Sequence, residues 1–198
     1  MHGLTRLPAL LACLLMPLAG HAKTVDQRAA GNLQATRSLP CTALKDVTAN
    51  DSPADLMAAI PSCIQAGRNT DGADLFSIAG VFAHFDTQRV ADRTAHGAYG
   101  ALKMNLVASF ESAGDGQMAA FSAALQDRMA HADAYQKSLC LLAERLGPPR
   151  YAPTYMLSHG MSAFTGKDTG LVVPGFDAAT AWKITQQEYL KCDEVAAG

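Results

Sequence analysis

The sequence predicts an all-α protein, a single helical-bundle-like domain of about six helices stapled by two disulfides. Three observations carry that expectation. Apolar residues recur at steps of three and four through most of the chain. No pair of alternating segments reads as a hairpin, residues 170–173 being the one candidate strand. Four cysteines remain once the N-terminal leader is set aside, and their number is even.

The leader is MHGLTRLPALLACLLMPLAGHA. Arg6 precedes an apolar run from Leu7 to Leu18, and Gly20 and Ala22 supply the small residues of a cleavage site, so residues 1–22 read as a secretory signal peptide. The apolar run is too short to span a bilayer. The alternative is a lipobox at Leu10-Leu11-Ala12-Cys13, which would anchor the protein to a membrane through Cys13. Residues 23–50 carry scattered charges without a period and read as an irregular arm, tied down at Cys41. Residues 51–198 form the helical domain.

The first helix opens at Ser52-Pro53-Ala54-Asp55: a serine cap, proline at the first position and an acid in the first turn. Leu56, Ala59, Ile60, Cys63 and Ile64 share its apolar face. Pro61 is expected to kink or shorten it, and Gly67 to end it. Residues 71–85 are apolar almost throughout and read as a buried helix. Tyr99, Leu102, Leu106 and Phe110 mark a third helix, where Gly97, Gly100 and Ala101 would admit a close neighbour. Met118, Phe121, Leu125, Met129, Ala132, Tyr135, Leu139, Leu142 and Leu146 advance by three or four at every step. Residues 117–146 would therefore make one helix about 45 Å long. Gly147-Pro148-Pro149 stops it. Pro153 opens a short helix whose Met156, with Phe164 farther on, can pack inward. Phe176-Asp177 opens the last helix, with Ala178, Trp182, Thr185, Tyr189 and Cys192 on one face.

Cys41, Cys63, Cys140 and Cys192 are widely spaced, with no Cys-x-x-Cys pair, so they read as disulfides rather than zinc ligands. Sequence-local pairing, Cys41–Cys63 and Cys140–Cys192, is the expectation. With the leader, it places the protein in an oxidising compartment, most simply a periplasm. The net charge of the whole chain is −2, and losing Arg6 makes it one unit more acidic. No basic cluster is present, which argues against nucleic acid as a partner.

No catalytic pattern is complete in this sequence. Gly160-Met161-Ser162-Ala163-Phe164 has phenylalanine where a serine-hydrolase elbow needs its second glycine, and Ser158 beside His159 has no triad geometry. Gly160 and Gly166 are spaced wrongly for a phosphate loop, and Asp168 follows Lys167 where Ser or Thr is required. His84, His96, His131 and His159 form no His-x-x-x-His. The sequence thus names no catalytic residue, metal or cofactor. Residues 151–170 read instead as a recognition segment, with Tyr151, Tyr155, His159, Lys167 and Asp168 as candidate partner contacts.

The signal peptide, the widely spaced cysteines, the helix end Ile60-Pro61-Ser62-Cys63 and the segment Tyr151-x-Pro153-Thr154-Tyr155-Met156-x-x-His159-Gly160-Met161-x-Ala163-Phe164 resemble small periplasmic immunity proteins. These neutralise antibacterial effectors delivered by type VI or type IV secretion. The resemblance implies a non-enzymatic protein that binds a secreted effector, such as a lipase or peptidoglycan hydrolase, and occludes it. Two other readings compete with it. One is a periplasmic accessory or small-ligand-binding helical protein. The other is a metal-dependent hydrolase with a site built from His84, Asp86, His96 or His159.

Overall fold

The computed structural model describes residues 29–114, 116–166 and 172–196. Among these residues the protein is all-α, as the sequence predicts, with nine α-helices and two disulfides.

Helix α1 (Pro53–Gln65) starts on a full capping box. The Ser52 hydroxyl accepts from the Asp55 amide, and the Asp55 carboxylate accepts from the Ser52 amide. The same carboxylate takes the amides of Thr36 and Arg37 at 2.7 and 2.8 Å, so one buried acid caps a helix and pins the arm. The helix runs through Pro61 to Gln65, and Gly67 turns the chain back at φ +70°. Cys41–Cys63 fastens the arm to the far end of α1.

Helix α2 (Asn69–Arg89) is the central pillar, about 31 Å long. It is apolar on nearly every side because it is covered on nearly every side: Leu75, Ile78, Ala79, Phe82 and Phe85 are fully buried. It packs against α1, α4 (Gln117–Ala130) and α8 (Ala178–Ile184). Helix α3 (Ala98–Ala113) lies on α1 and α4 through Leu102, Leu106 and Phe110.

The long helix expected over residues 117–146 is two helices. His131 leaves helical geometry at φ −115°, ψ 39°, and α5 (Ala132–Leu146) departs from there. The His131 amide and ring both bond the Asp127 carbonyl, at 3.2 and 2.9 Å. Arg128 is drawn onto the buried Asp74 by two 2.8 Å bonds, and its guanidinium lies over the Tyr135 ring. The break lets α4 stay on α2 while α5 turns toward α9 (Cys192–Ala196), to which Cys140–Cys192 joins it. Gly147 ends α5 at φ +65°.

Beyond α5 the chain crosses the end of α2. Helix α6 (Thr154–Leu157) buries Tyr155 and Met156; α7 (Met161–Thr165) follows. Val172 meets Val90 in a single antiparallel bridge rather than a strand pair. Asp177 caps α8 by accepting from the Ala179 and Thr180 amides. Trp182 then inserts between Phe82 and Phe85, and its indole N–H donates to the Ala143 carbonyl at 3.1 Å. The helix continues as a π turn over Thr185–Tyr189.

Close approach does not occur at Gly97 and Gly100, as the sequence led us to expect. A Cβ at Gly100 would meet nothing, whereas one at Gly72 would sit 2.9 Å from Ile64 and one at Gly80 2.9 Å from the Tyr189 hydroxyl. The two disulfides point to an oxidising, exported environment. No described helix is long and apolar enough to cross a membrane.

Candidate functional site

Two of the five predicted contact residues turn inward. Tyr155 is 1% exposed and Tyr151 is 9% exposed. Both phenols donate to Asp86 Oδ2 at 2.9 Å, across 65 and 69 residues of sequence. A buried carboxylate needs donors, and these two hydroxyls with Arg89 supply them. Arg89 Nε donates to Asp86 Oδ1 at 2.8 Å, and Nη2 lies 2.7 Å from the same oxygen with no acceptor of its own. The guanidinium is enclosed by the Phe85 and Tyr151 rings, 5.2 and 4.9 Å from their centroids. Burial pushes the Asp86 carboxyl up to about 6, against the pull of Arg89 and the two phenols. Burial and the adjacent carboxylate hold both tyrosines far above their usual range. These tyrosines are therefore structural fasteners that offer no surface to a partner, a correction to the sequence reading.

His159 is half-buried, its Nδ1 paired with Asn32 Oδ1 at 3.0 Å. Lys167 and Asp168 lie outside the described residues. Phe164 does not pack inward. It is 56% exposed beside Met161 at 55%. The start of α7 is held instead by the 92–94 turn, where Asp92 accepts from the Ser162 amide and Thr94 from the Met161 amide. The Thr94 hydroxyl and the Ser162 amide hold the Asp92 carboxyl well below the usual carboxylate range.

The residues considered for a metal site go to separate partners. His84 stacks on Tyr189, Asp86 is enclosed as above, His96 bonds the Val90 carbonyl, and His159 faces Asn32. Among the described residues no group of three or more His, Cys, Asp or Glu side chains could hold a metal ion.

What the structure assembles, and the sequence reading missed, lies on the other side of α2. A cleft of about 420 Å³ opens between α2, α3, α4, α5 and the π turn, with Phe76, Val81, Leu125, Leu139 and Leu190 in its walls. Gly80 forms part of its floor, where the phenol oxygens of Tyr99 and Tyr189 come in over the missing side chain. Tyr99 donates to the Phe76 carbonyl at 3.0 Å. Burial raises both phenols, Tyr99 further because Tyr189 is near. The π turn brings Tyr189 here and stacks it on His84 at 4.7 Å, where burial outweighs Glu188 and lowers the imidazole. Single π turns are often found at functional sites.

Lys103 closes one end of the cleft, its ammonium 5.3 Å from the Tyr99 ring centroid. Beyond it the outer face of α3 presents Gly100, Met104, Val107 and Ala108, ending at Glu111. Met104 is 74% exposed and Val107 43%. Helix α3 is thus apolar on two faces and buried on one. A helix apolar all round is ordinarily covered all round, as α2 is. The signal was present in the sequence, since positions 100, 104, 107 and 108 share a helical face distinct from Tyr99, Leu102, Leu106 and Phe110. No protein-family model, curated protein or solved structure matches this chain.

Proposed function

We propose that this protein is an exported immunity-type binding protein that attaches to a secreted antibacterial effector and occludes it, with α3 as the contact face. One observation supports the reading above the others. Helix α3 carries an exposed apolar stripe, Met104–Val107–Ala108, bracketed by Lys103 and Glu111. Apolar centres rimmed by charge are the usual anatomy of a protein interface. Met161 and Phe164 add a second exposed apolar pair, in the segment that resembles the immunity proteins. Two disulfides suit such a role outside the cytoplasm, because they hold the surface rigid before the partner arrives.

The test joins capture to inhibition. The tagged mature protein is used to capture secreted proteins, and any stoichiometric partner is assayed for lipase or peptidoglycan hydrolase activity, free and bound. The partner should lose its activity in the complex. Met104→Asp with Val107→Asp should weaken binding at least about thirtyfold, the loss of one interface hot spot. Both side chains are exposed, so the circular dichroism spectrum should not change. A captured partner that stays active, or one that binds the double variant equally well, rules out occlusion by α3.

A further inference from the structure

The cleft beside α3 has a chemistry of its own, and it does not require a protein partner. Its walls are mostly aliphatic and aromatic, and its polar side chains are Lys103, Tyr189, Tyr99 and Ser77, the last bonded to the Ala73 carbonyl. Tyr99 is committed to the Phe76 carbonyl. The other two are not committed. Among the described residues no carboxylate pairs with the Lys103 ammonium, which rests only on the face of Tyr99. The Tyr189 hydroxyl has no hydrogen-bond partner among the described residues, and of the turn residues before it Gln187 is bonded to Asp193 while Glu188 acts on His84. An apolar hollow within the usual volume range of ligand pockets, with a free cation and a free hydroxyl, matches a ligand with an apolar body and an anionic head.

We propose that this cleft binds a single-chain amphiphilic carboxylate, a fatty-acid-like molecule. Its acyl chain lies along Phe76, Val81, Leu125 and Leu139, and its carboxylate accepts from Lys103 Nζ and the Tyr189 hydroxyl. Lys103 supplies the charge that separates a carboxylate from an alcohol of the same length. Gly80 keeps the floor open: a side chain there would displace the Tyr189 hydroxyl from 2.9 Å away.

The experiment is a calorimetric titration of the full mature protein, disulfides intact, with dodecanoate below its micelle concentration. Dodecanol and dodecyltrimethylammonium are the comparators. Dodecanoate should bind at one site, about tenfold or more tighter than dodecanol, as a charge-assisted bond inside a partly dry cleft implies. Lys103→Gln should bring dodecanoate down to the dodecanol level, and Tyr189→Phe should weaken it several-fold. Lys103 is exposed, so thermal melts should match those of the native protein. Absence of saturable dodecanoate binding overturns the proposal, as does equal affinity for acid and alcohol, or a Lys103→Gln variant that binds dodecanoate unchanged. No effector is needed in any arm, so this result and the test of effector occlusion are independent.

Discussion

Replacing Asp86 by asparagine should stabilise this protein at neutral pH and leave it nearly unchanged in acid. Asp86 is fully buried, and its carboxyl titrates at about 6 against an ordinary value of 3.8. Below 3.8 both folded and unfolded chains hold the proton, and Asp86 contributes its full share of stability. As the pH rises past 3.8 the unfolded chain releases the proton while the folded one keeps it, so stability falls until the folded carboxyl ionises near 6. About two pKa units at 1.36 kcal/mol each make the loss on the order of 3 kcal/mol. Asparagine resembles the protonated acid. Its amide oxygen can keep the 2.8 Å bond from Arg89 while its NH2 donates to the two phenol oxygens, now 2.9 Å away, and nothing titrates. Urea unfolding of both proteins at several pH values between 4 and 7.5 measures the difference, in which the titrations of all other groups cancel. The variant should lie within about 1 kcal/mol of the native protein at pH 4 and exceed it by about 3 at pH 7.5. The opposite sign at pH 7.5 would refute the reasoning. It would mean that Arg89, 2.7 Å away, outweighs desolvation and that the ion pair is net stabilising.

Two further outcomes follow from the fasteners of the fold. Changing Cys41 and Cys63 together to serine should cost about 3 kcal/mol in urea unfolding, the loop entropy of a 22-residue separation. Limited proteolysis should then cut the arm before the helices. Gly160→Ala places a Cβ against the Asp92 carboxylate and 3.0 Å from Ala95, although its own φ of −73° suits any residue. Overpacking there should cost about 1–3 kcal/mol and free the start of α7, read as faster amide exchange at Ser162. Unchanged exchange would mean that Asp92 does not hold that turn.

Much of the fold was legible because local rules and tertiary packing agree. Ser52 and Asp55 close the capping box their spacing suggested, Gly67 and Gly147 end helices in left-handed geometry, and the cysteines pair as sequence proximity implied. The break at His131 was not legible, since Ala130-His131-Ala132 contains no residue that disfavours a helix. It follows from which neighbours α4 and α5 reach, α2 for one and α9 for the other. Tyr151 and Tyr155 were misread for a similar reason. Aromatic residues beside a glycine-rich loop look like contact residues until Asp86, 65 and 69 residues earlier, is seen to need their hydroxyls. The cleft was invisible in sequence because its residues come from five separate elements, and the π turn that delivers Tyr189 leaves the apolar period almost undisturbed.

The second disulfide has a bearing on the cleft as well as on stability. Cys140 directly follows Leu139, and Cys192 comes two residues after Leu190, so the bond links two of the cleft's walls at their roots. Among the described residues the Tyr189 segment is also tied to α5 by the amide of Gln136 on the Leu190 carbonyl. Oxidation therefore fastens two walls of the cleft to each other. Without that bond, the Gln136 amide on the Leu190 carbonyl and the packing of the π turn on α2 would have to hold this side of the hollow. The hollow is fully fastened only after the chain reaches a compartment where that bond can form.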